Sequence, residues 1–340
     1  MIYSAPALSI SAHDAALAAA RQFVGVLRDV DRAGRRSCRT IPTEGERRAV
    51  REAFLGDLAP ALRRAEGRLD LEGTAAVQRE VATILNPWML RSAVWARCFL
   101  KPHGYPGDFR TLEALYDLEL SECADPTQPA VVNALDGLGR SVAGIRALWE
   151  RRRWVAGLLD EAVAQRAGDA VRVLDVACGG SRPLRDVIGV RGPACIEATF
   201  LDQDPGALAF VRSWLPEPAL ACATFLCGSA RRLGDLLRVD AESGQAGFDI
   251  VVATGLFDYL GQTAARAVLR DMAAVTRRGG TVAISNAAPD DTSRVIRDWI
   301  SDWRLIHRSQ PELTDVFGDE LAPTMRRSSD GSLFYATAVL

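Results

Sequence analysis

Apolar residues recur at intervals of three and four along the first half of this chain, and in short continuous runs along the second. The change falls near Val171. Before it, Asp14–Val30 sets apolar side chains on one helical face and contains no proline. Thr43, followed three residues later by Glu46, is a helix-start signal and predicts a helix over Thr43–Gly56. Leu71–Leu85 keeps the helical period until Asn86-Pro87 interrupts it. Trp88–Leu100 and Phe109–Leu120 are the next expected helices. Between them lies Lys101-Pro-His-Gly-Tyr-Pro-Gly-Asp108, a loop rich in proline and glycine. Asp125-Pro-Thr-Gln-Pro129 is a second break, and Val131–Arg166 reads as one or two helices.

From Val171 onward, apolar runs alternate with helical segments. The runs are Val171–Val176, Ala198–Leu201, Ala223–Leu226, Phe248–Ala253, Gly280–Ser285 and Leu333–Val339. This alternation predicts an α/β fold, Rossmann-like, with a seven-stranded and mostly parallel sheet covered by helices on both faces. The last run follows the turn Ser329-Asp-Gly-Ser332, which suits an antiparallel edge strand in a hairpin with a strand near Thr324–Arg327. The expected division is a helical N-terminal lid domain over residues 1–145 and a ligand-binding core over 146–340.

In an open parallel sheet, ligands bind beyond the C-terminal strand ends. The first strand ends in Asp175-Val-Ala-Cys-Gly-Gly-Ser181, and the second in Asp202-Gln-Asp204. Strand, glycine turn, helix, strand, acid is an arrangement that holds an adenosine. The glycines let the protein backbone approach the ligand, and the distal acid accepts from ribose hydroxyls. The turn is D-x-A-x-G-G-S, not the G-x-G-x-x-G that a dinucleotide pyrophosphate requires. That points to S-adenosylmethionine, which carries no phosphate. The candidate binding residues are Asp175, Ala177, Gly179, Gly180, Asp202, Gln203, Ser229, Ala230, Thr254 and Gly255. Gly179 and Gly180 would face the methionine part, Asp175 its ammonium, Asp202 the ribose, and Ser229 with Ala230 the adenine edge. Plainer roles stay open for two of the acids: Asp175 could cap the glycine turn, and Asp204 could cap the helix that follows.

At 340 residues the chain suggests two units. Apolar residues at 48% and charged residues at 25% are ordinary for a globular protein. A net charge of −2 gives no basic field for nucleic acid. The 7 cysteines contain no C-x-x-C pair, which fits reduced thiols in a cytoplasmic protein. No apolar run reaches the ~18–20 residues of a membrane span. The N-terminus lacks a signal-peptide pattern. No spacing suggests a metal site or a nucleophile elbow.

Gly255-Leu-Phe-Asp-Tyr-Leu260, Arg278-Gly-Gly280, Ser285-Asn286, Trp303-Arg-Leu-Ile-His-Arg308 and Lys101–Asp108 resemble the class I S-adenosylmethionine-dependent methyltransferases. Within them the closest group carries a helical N-terminal extension and is described as extracellular-factor, 3-hydroxy fatty acid methyl ester biosynthesis proteins. The resemblance spans roughly residues 95–340. That group more usually has Arg where His103 stands, and Asn-Val-Asp-Pro-Ser-Asn-Pro where this chain has Asn286-Ala-Ala-Pro-Asp-Asp-Thr292. The second difference lies where the acceptor would be contacted. The chain is more loosely similar to azetidine-2-carboxylate synthases. In these, the amine of S-adenosylmethionine attacks its own γ-carbon and methylthioadenosine leaves.

The resemblance implies a small-molecule transferase of specialised metabolism, methylating a carboxylate or hydroxy acid. Cyclisation of S-adenosylmethionine alone and a non-catalytic binding module are the alternatives. Tyr105, Asp108, Tyr259 and Asn286 are the expected catalytic residues. An aromatic face beside a sulfonium offers cation–π stabilisation of about 0.5–2 kcal/mol, and the Asp or Asn would orient the nucleophile. The Gly104–Asp108 loop would act as a lid, or simply connect two helices. His103 is a candidate base or a surface histidine. His307 is placed in an aromatic helix, Trp299–His307, as core packing. Expected partners are the small-molecule substrate or S-adenosylmethionine alone, with no nucleic acid and no membrane span. A homodimer is left open.

Overall fold

The computed structural model describes residues 11–120, 124–166, 168–241 and 247–340. Cys123 and the first ten residues, read above for a signal sequence, lie outside the described residues. The chain forms two compact units. Residues 1–107, 117–145 and 293–304 make up the first, and 108–116, 146–292 and 305–340 the second. One join falls at 145/146, as in the sequence-based division. Two segments sit elsewhere: residues 108–116 group with the sheet, and 293–304 with the helices.

The first unit is helical. Helix α1 (Ala12–Arg36) starts at Ser11, whose hydroxyl accepts from Asp14 N at 3.0 Å. It runs past Val30 because nothing in the next six residues breaks it, and Gly34 leaves room for Ala130. Thr43 and Glu46 form the expected capping box of α2 (Glu44–Arg51). The helix does not stop at Gly56. It passes through a π-helical turn (Glu52–Leu58) into α3 (Ala59–Glu66). Helix α4 (Leu71–Met89) also runs through Pro87, which lies near its end. There a proline removes a single backbone bond. Trp88 therefore belongs to α4, and Ser92 caps the separate helix α5 (Ala93–Leu100). Helix α6 is Phe109–Leu120 as expected, and Val131–Arg166 resolves into α7 (Ala130–Gly139) and α8 (Ala143–Gln165). Phe54 is fully buried in the core of this unit. Its ring centroid is 5.1 Å from Phe23 and 5.7 Å from Trp95. Trp95 Nε1 donates to Leu135 O at 3.0 Å, so the indole is satisfied inside the core. Val295, Ile296, Trp299 and Ile300 join the same core.

The second unit is the sheet. Its elements are β1 (Val171–Val176), α9 (Arg182–Arg191), β2 (Ile196–Asp202), α10 (Pro205–Trp214), α11 (Glu217–Ala221), β3 (Thr224–Cys227), α12 (Leu233–Ala241), β4 (Phe248–Thr254), α13 (Gln262–Val275) and β5 (Thr276–Ala287). After α14 (Arg294–Ile300), which belongs to the first unit, come α15 (Gln310–Phe317), β6 (Thr324–Arg327) and β7 (Leu333–Val339). The strand order is β3-β2-β1-β4-β5-β7-β6, with β1 to β5 parallel and β7 antiparallel to both neighbours. This is the Rossmann-like, seven-stranded and mostly parallel sheet expected from the sequence. Val171 and Val173 pack on one face, Leu174 and Val176 on the other. Burial on both faces is why these strands read as continuous apolar runs.

Two expectations change. Strand β7 forms the hairpin with β6 but is not the edge. It inserts between β5 and β6, pairing from Thr281↔Val339 to Ala287↔Leu333. Its buried run Leu333–Ala336 could not tolerate an edge, whereas β6 is short and carries Arg326 and Arg327. Helix α14 ends at Ile300, so His307 lies in an extended segment and not in a helix. Among the described residues no helix is long and apolar enough to cross a membrane.

Phe54→Ala should destabilise the helical unit by about 3–5 kcal/mol, the cost of removing a buried aromatic ring. Denaturant unfolding followed by tryptophan fluorescence checks this. A shift under about 1 kcal/mol would mean that the ring trio does not anchor this core.

Candidate functional site

The chain leaves β1 toward one side of the sheet and β4 toward the other, which opens a crevice at their C-terminal ends. The turn after β1 is held in an unusual shape. Ala177, Gly179 and Ser181 have φ of 53°, 53° and 49°. Two of these are non-glycine residues in the left-handed region, a strain that persists only where the surroundings impose it. Gly179 N donates to Asp202 Oδ2 at 2.8 Å, and Cys178 N donates to Leu201 O at 3.0 Å. The turn is thereby fastened to the end of β2.

Asp202 is buried, and its other oxygen accepts from Asp204 N at 2.9 Å. Burial pushes its carboxyl above the ordinary range, opposed by the amides of Asp204 and Gly179. Asp204 takes the plainer of its two roles: Oδ1 accepts from Gly206 N at 2.8 Å and caps α10. Gln203 is exposed. At the end of β1, Asp175 is buried and receives the Ser181 hydroxyl at 2.5 Å. Burial raises its carboxyl from 3.8 to about 7, with Ser181 opposing and Asp202 adding to the rise.

A cleft of about 450 Å³, partly open to solvent, lies here. Asp175, Ala177, Gly179, Gly180 and Thr254 line it, as the sequence suggested. Four polar residues that the sequence reading passed over line it too: Glu113, Tyr116, Arg151 and Arg182. Arg182 bonds to Glu113, whose carboxylate packs where a side chain on Gly180 would sit. These four lie on helices among many charged positions, and no spacing marks them. Asp202, Gln203, Ser229, Ala230 and Gly255 do not line this cleft, although Asp202 joins it through Gly179. The Ser229 hydroxyl accepts from Arg231 N at 3.3 Å. Gly255 has φ of 90° and donates its amide to Ser285 Oγ at 3.2 Å.

The four expected catalytic residues fall in different settings. Asp108 belongs to the sheet unit and is fully buried. Its oxygens accept from Thr111 N at 3.0 Å and Thr111 Oγ1 at 2.8 Å, at the start of α6. Tyr105 is half-buried in the helical unit. Tyr259 is exposed beyond β4. Asn286 is fully buried, and its amide is committed. Nδ2 donates to Ile306 O at 2.8 Å and Ala287 O at 3.0 Å, and Oδ1 accepts from Arg308 at 2.5 Å. Arg308 also donates to Phe257 O, Leu260 O and Gln262 Oε1. It clamps the loop after β4; in the sequence it stands only as the last residue of the Trp303–Arg308 motif. Asp258 Oδ1 completes the clamp by accepting from Ala287 N at 2.6 Å. His307 Nε2 lies 3.6 Å from Asp291 Oδ2, and His103 is exposed. Among the described residues no three His, Cys, Asp or Glu side chains gather as a metal site.

Residues 173–280 match the profile of a methyltransferase domain. No curated protein matches the chain closely enough to count as a relative. Among solved structures, one described as a possible exported protein from Bordetella parapertussis is 14% identical. It covers 98% of this chain and 99% of its own, with a TM-score of 0.53, a likeness of fold. Magnesium protoporphyrin IX methyltransferase from Synechocystis, solved with S-adenosylhomocysteine, is also 14% identical over 57% of this chain and 84% of its own, with a TM-score of 0.41. The N-methyltransferase NodS from Bradyrhizobium japonicum is 16% identical over 56% of this chain and 94% of its own, with a TM-score of 0.37.

Arg308→Lys should destabilise the sheet unit by at least about 2 kcal/mol, because a lysine cannot reproduce the fork and each abandoned buried acceptor costs about 1–3 kcal/mol. Thermal unfolding measures this. A Tm unchanged from wild type would show that the carbonyls of Phe257 and Leu260 do not depend on the clamp.

Proposed function

We propose that this chain is an S-adenosylmethionine-dependent transferase that methylates a small molecule. The observation that carries the reading is the turn after β1, with its left-handed residues, tied to the acid ending β2 and backed by a second buried acid. This cradle fits the cofactor. Gly179 carries no side chain to obstruct the amino-acid part. Asp175 offers a carboxylate to an ammonium, and Asp202 retains acceptor capacity for ribose hydroxyls after its two amide bonds. Ser229 and Ala230, at the end of β3, would flank the adenine. When bound, the cofactor supplies a methyl group already activated by a sulfonium. The protein's part is then alignment and the exclusion of water.

The acceptor drawn from the resemblance is a small carboxylate or hydroxy acid. Asn286 and Asp108 support this work indirectly, as positioning residues, because their polar atoms are bound to Arg308, Ile306 and Thr111. Tyr259, exposed beyond β4, is the aromatic face offered to the acceptor.

Mass spectrometry of incubations with S-adenosylmethionine, with and without candidate acids, tests the reading. Acceptor-dependent S-adenosylhomocysteine supports it. Methylthioadenosine formed without any acceptor would replace it with cyclisation, and binding without product would leave a non-catalytic module. Asp202→Ala should weaken S-adenosylhomocysteine binding by about 1–3 kcal/mol in calorimetry, through hydroxyls left unpaired. No loss in a folded variant would remove the ribose assignment.

Asp175 gives a pH signature. Its carboxyl titrates near 7 when folded against 3.8 ordinarily. The folded state therefore holds an extra proton between those values, and Asp175 contributes less stability as pH rises through that window. A cationic ammonium needs the ionised form. Affinity for S-adenosylhomocysteine should rise toward pH 7 and level off above it, and Asp175→Asn should abolish that slope. A slope that persists in the variant would assign it to another group.

A further inference from the structure

The polar groups that follow β4 and end β5 are occupied: Asp258 Oδ1 accepts from Ala287 N, and Asn286 Oδ1 accepts from Arg308. His307 stands beside them. Of the 3 histidines in the chain, it alone belongs to the sheet unit. Its backbone is fixed on both sides at the ligand end of the sheet. Ile306 N donates to Asp258 O at 2.8 Å, and Arg308 N donates to Ala287 O at 3.0 Å. Ala287 lies two residues beyond Ser285, which pairs with Thr254, a residue of the cofactor cleft. The histidine is therefore held one strand across from that cleft, on the side away from β1.

A carboxylate stands behind the ring. His307 Nε2 lies 3.6 Å from Asp291 Oδ2, with the imidazole 12% exposed and the Asp291 side chain 1% exposed. Asp291 is itself held, its N donating to Ala288 O at 3.1 Å. A carboxylate in this place meets the charge that an imidazole gains when it takes a proton. The group this chain resembles has a neutral Asn at the position of Asp291. Two large apolar side chains are exposed beside the pair, Tyr259 at 38% and Ile306 at 40%, and offer a surface to the carbon skeleton of an acceptor.

A carboxylate acceptor is already ionised near neutral pH and attacks a sulfonium methyl without losing a proton. A hydroxyl keeps its proton and needs a base as the new bond forms. We propose that His307 is that base, that Asp291 is its positioning residue, and that the acceptor is methylated on a hydroxyl rather than on a carboxylate. In the step, Nδ1, the other ring nitrogen, takes the hydroxyl proton while the acceptor oxygen forms the bond to the methyl carbon. The carbon–sulfur bond breaks and its electron pair stays on sulfur. S-adenosylhomocysteine and an imidazolium beside the Asp291 carboxylate remain, and water then carries the proton away. The inference rests on the methyl-transfer reading above and narrows its acceptor from two groups to one.

Wild-type protein with S-adenosylmethionine labelled in the methyl group, and one of four probes, tests this. The probes are 4-hydroxybenzoate, benzoate, 3-hydroxybutyrate and butyrate, two pairs that differ only in the hydroxyl. Label should pass to the hydroxy acids alone, in an ether that survives mild alkali. Label released by alkali as methanol, or transfer to benzoate or butyrate, would put the methyl on a carboxylate and overturn the proposal without any variant having to fold. His307→Ala should lower kcat on the hydroxy acid about 10²–10⁴-fold, the range for a general base. It should keep its S-adenosylhomocysteine affinity in calorimetry and regain part of the rate with added imidazole. Asp291→Asn should lower kcat by less, with KM kept. An unchanged kcat in His307→Ala, or a loss matched by lost S-adenosylhomocysteine affinity, would overturn the base assignment. No transfer to any of the four probes would instead remove the reading of a small-acid acceptor, and this inference with it.

Discussion

The Asp202 carboxylate joins two strand ends that are far apart in the chain. One oxygen holds the amide of Gly179 in the turn after β1, and the other holds the amide of Asp204, which leads into α10. The first bond, with those of Cys178 N to Leu201 O and of the Ser181 hydroxyl to Asp175, holds Ala177 and Ser181 in the left-handed region, where a side chain is normally unwelcome. The cost of that conformation is borne by the parallel pairing of β1 with β2, which brings Asp175 level with Phe200 and Val176 with Leu201. The cleft is shaped by this junction, and its buried acids are placed by it.

Charge in the cleft follows from the same construction. Burial raises both the Asp175 and the Asp202 carboxyls, and the charge of Asp202 adds to the rise at Asp175. Two acids so placed favour a cationic ligand that can return them to their ionised form. The surrounding helices contribute the opposite charge: α9 brings Arg182 with Glu113 from α6 to answer it, and α8 brings Arg151 with only a tyrosine hydroxyl. The loop after β4 is rigidified separately by Arg308. That arginine spends its donors on backbone carbonyls and Asn286 and leaves none in evidence for a ligand.

Much of this was legible in the chain. The apolar runs at Val171–Val176 and Leu333–Val339 coincide with β1 and β7, because strands buried on a sheet interior have no polar positions to blur their limits. Thr43 with Glu46 announced its helix because a capping box is a local device. The glycine turn and Asp202 were legible for the same reason, as strand ends are marked by where apolar residues stop. Pro87 and Gly56 misled because breakers act through local propensity, and packing of α4 and the π-helical turn overrode it.

The sequence by itself determined the alternation of strand and helix and the acids at the ends of β1 and β2. These depend on neighbours within a few residues of one another. The tertiary structure alone decided that β7 enters the sheet beside β5, that Asn286 is bound by Arg308, and that Arg151 faces the cleft without an acid. Each of these is a contact between segments from 22 to more than 50 residues apart, or the absence of one. Whether an arginine is satisfied depends on what packs against it, and no local pattern of residues records that.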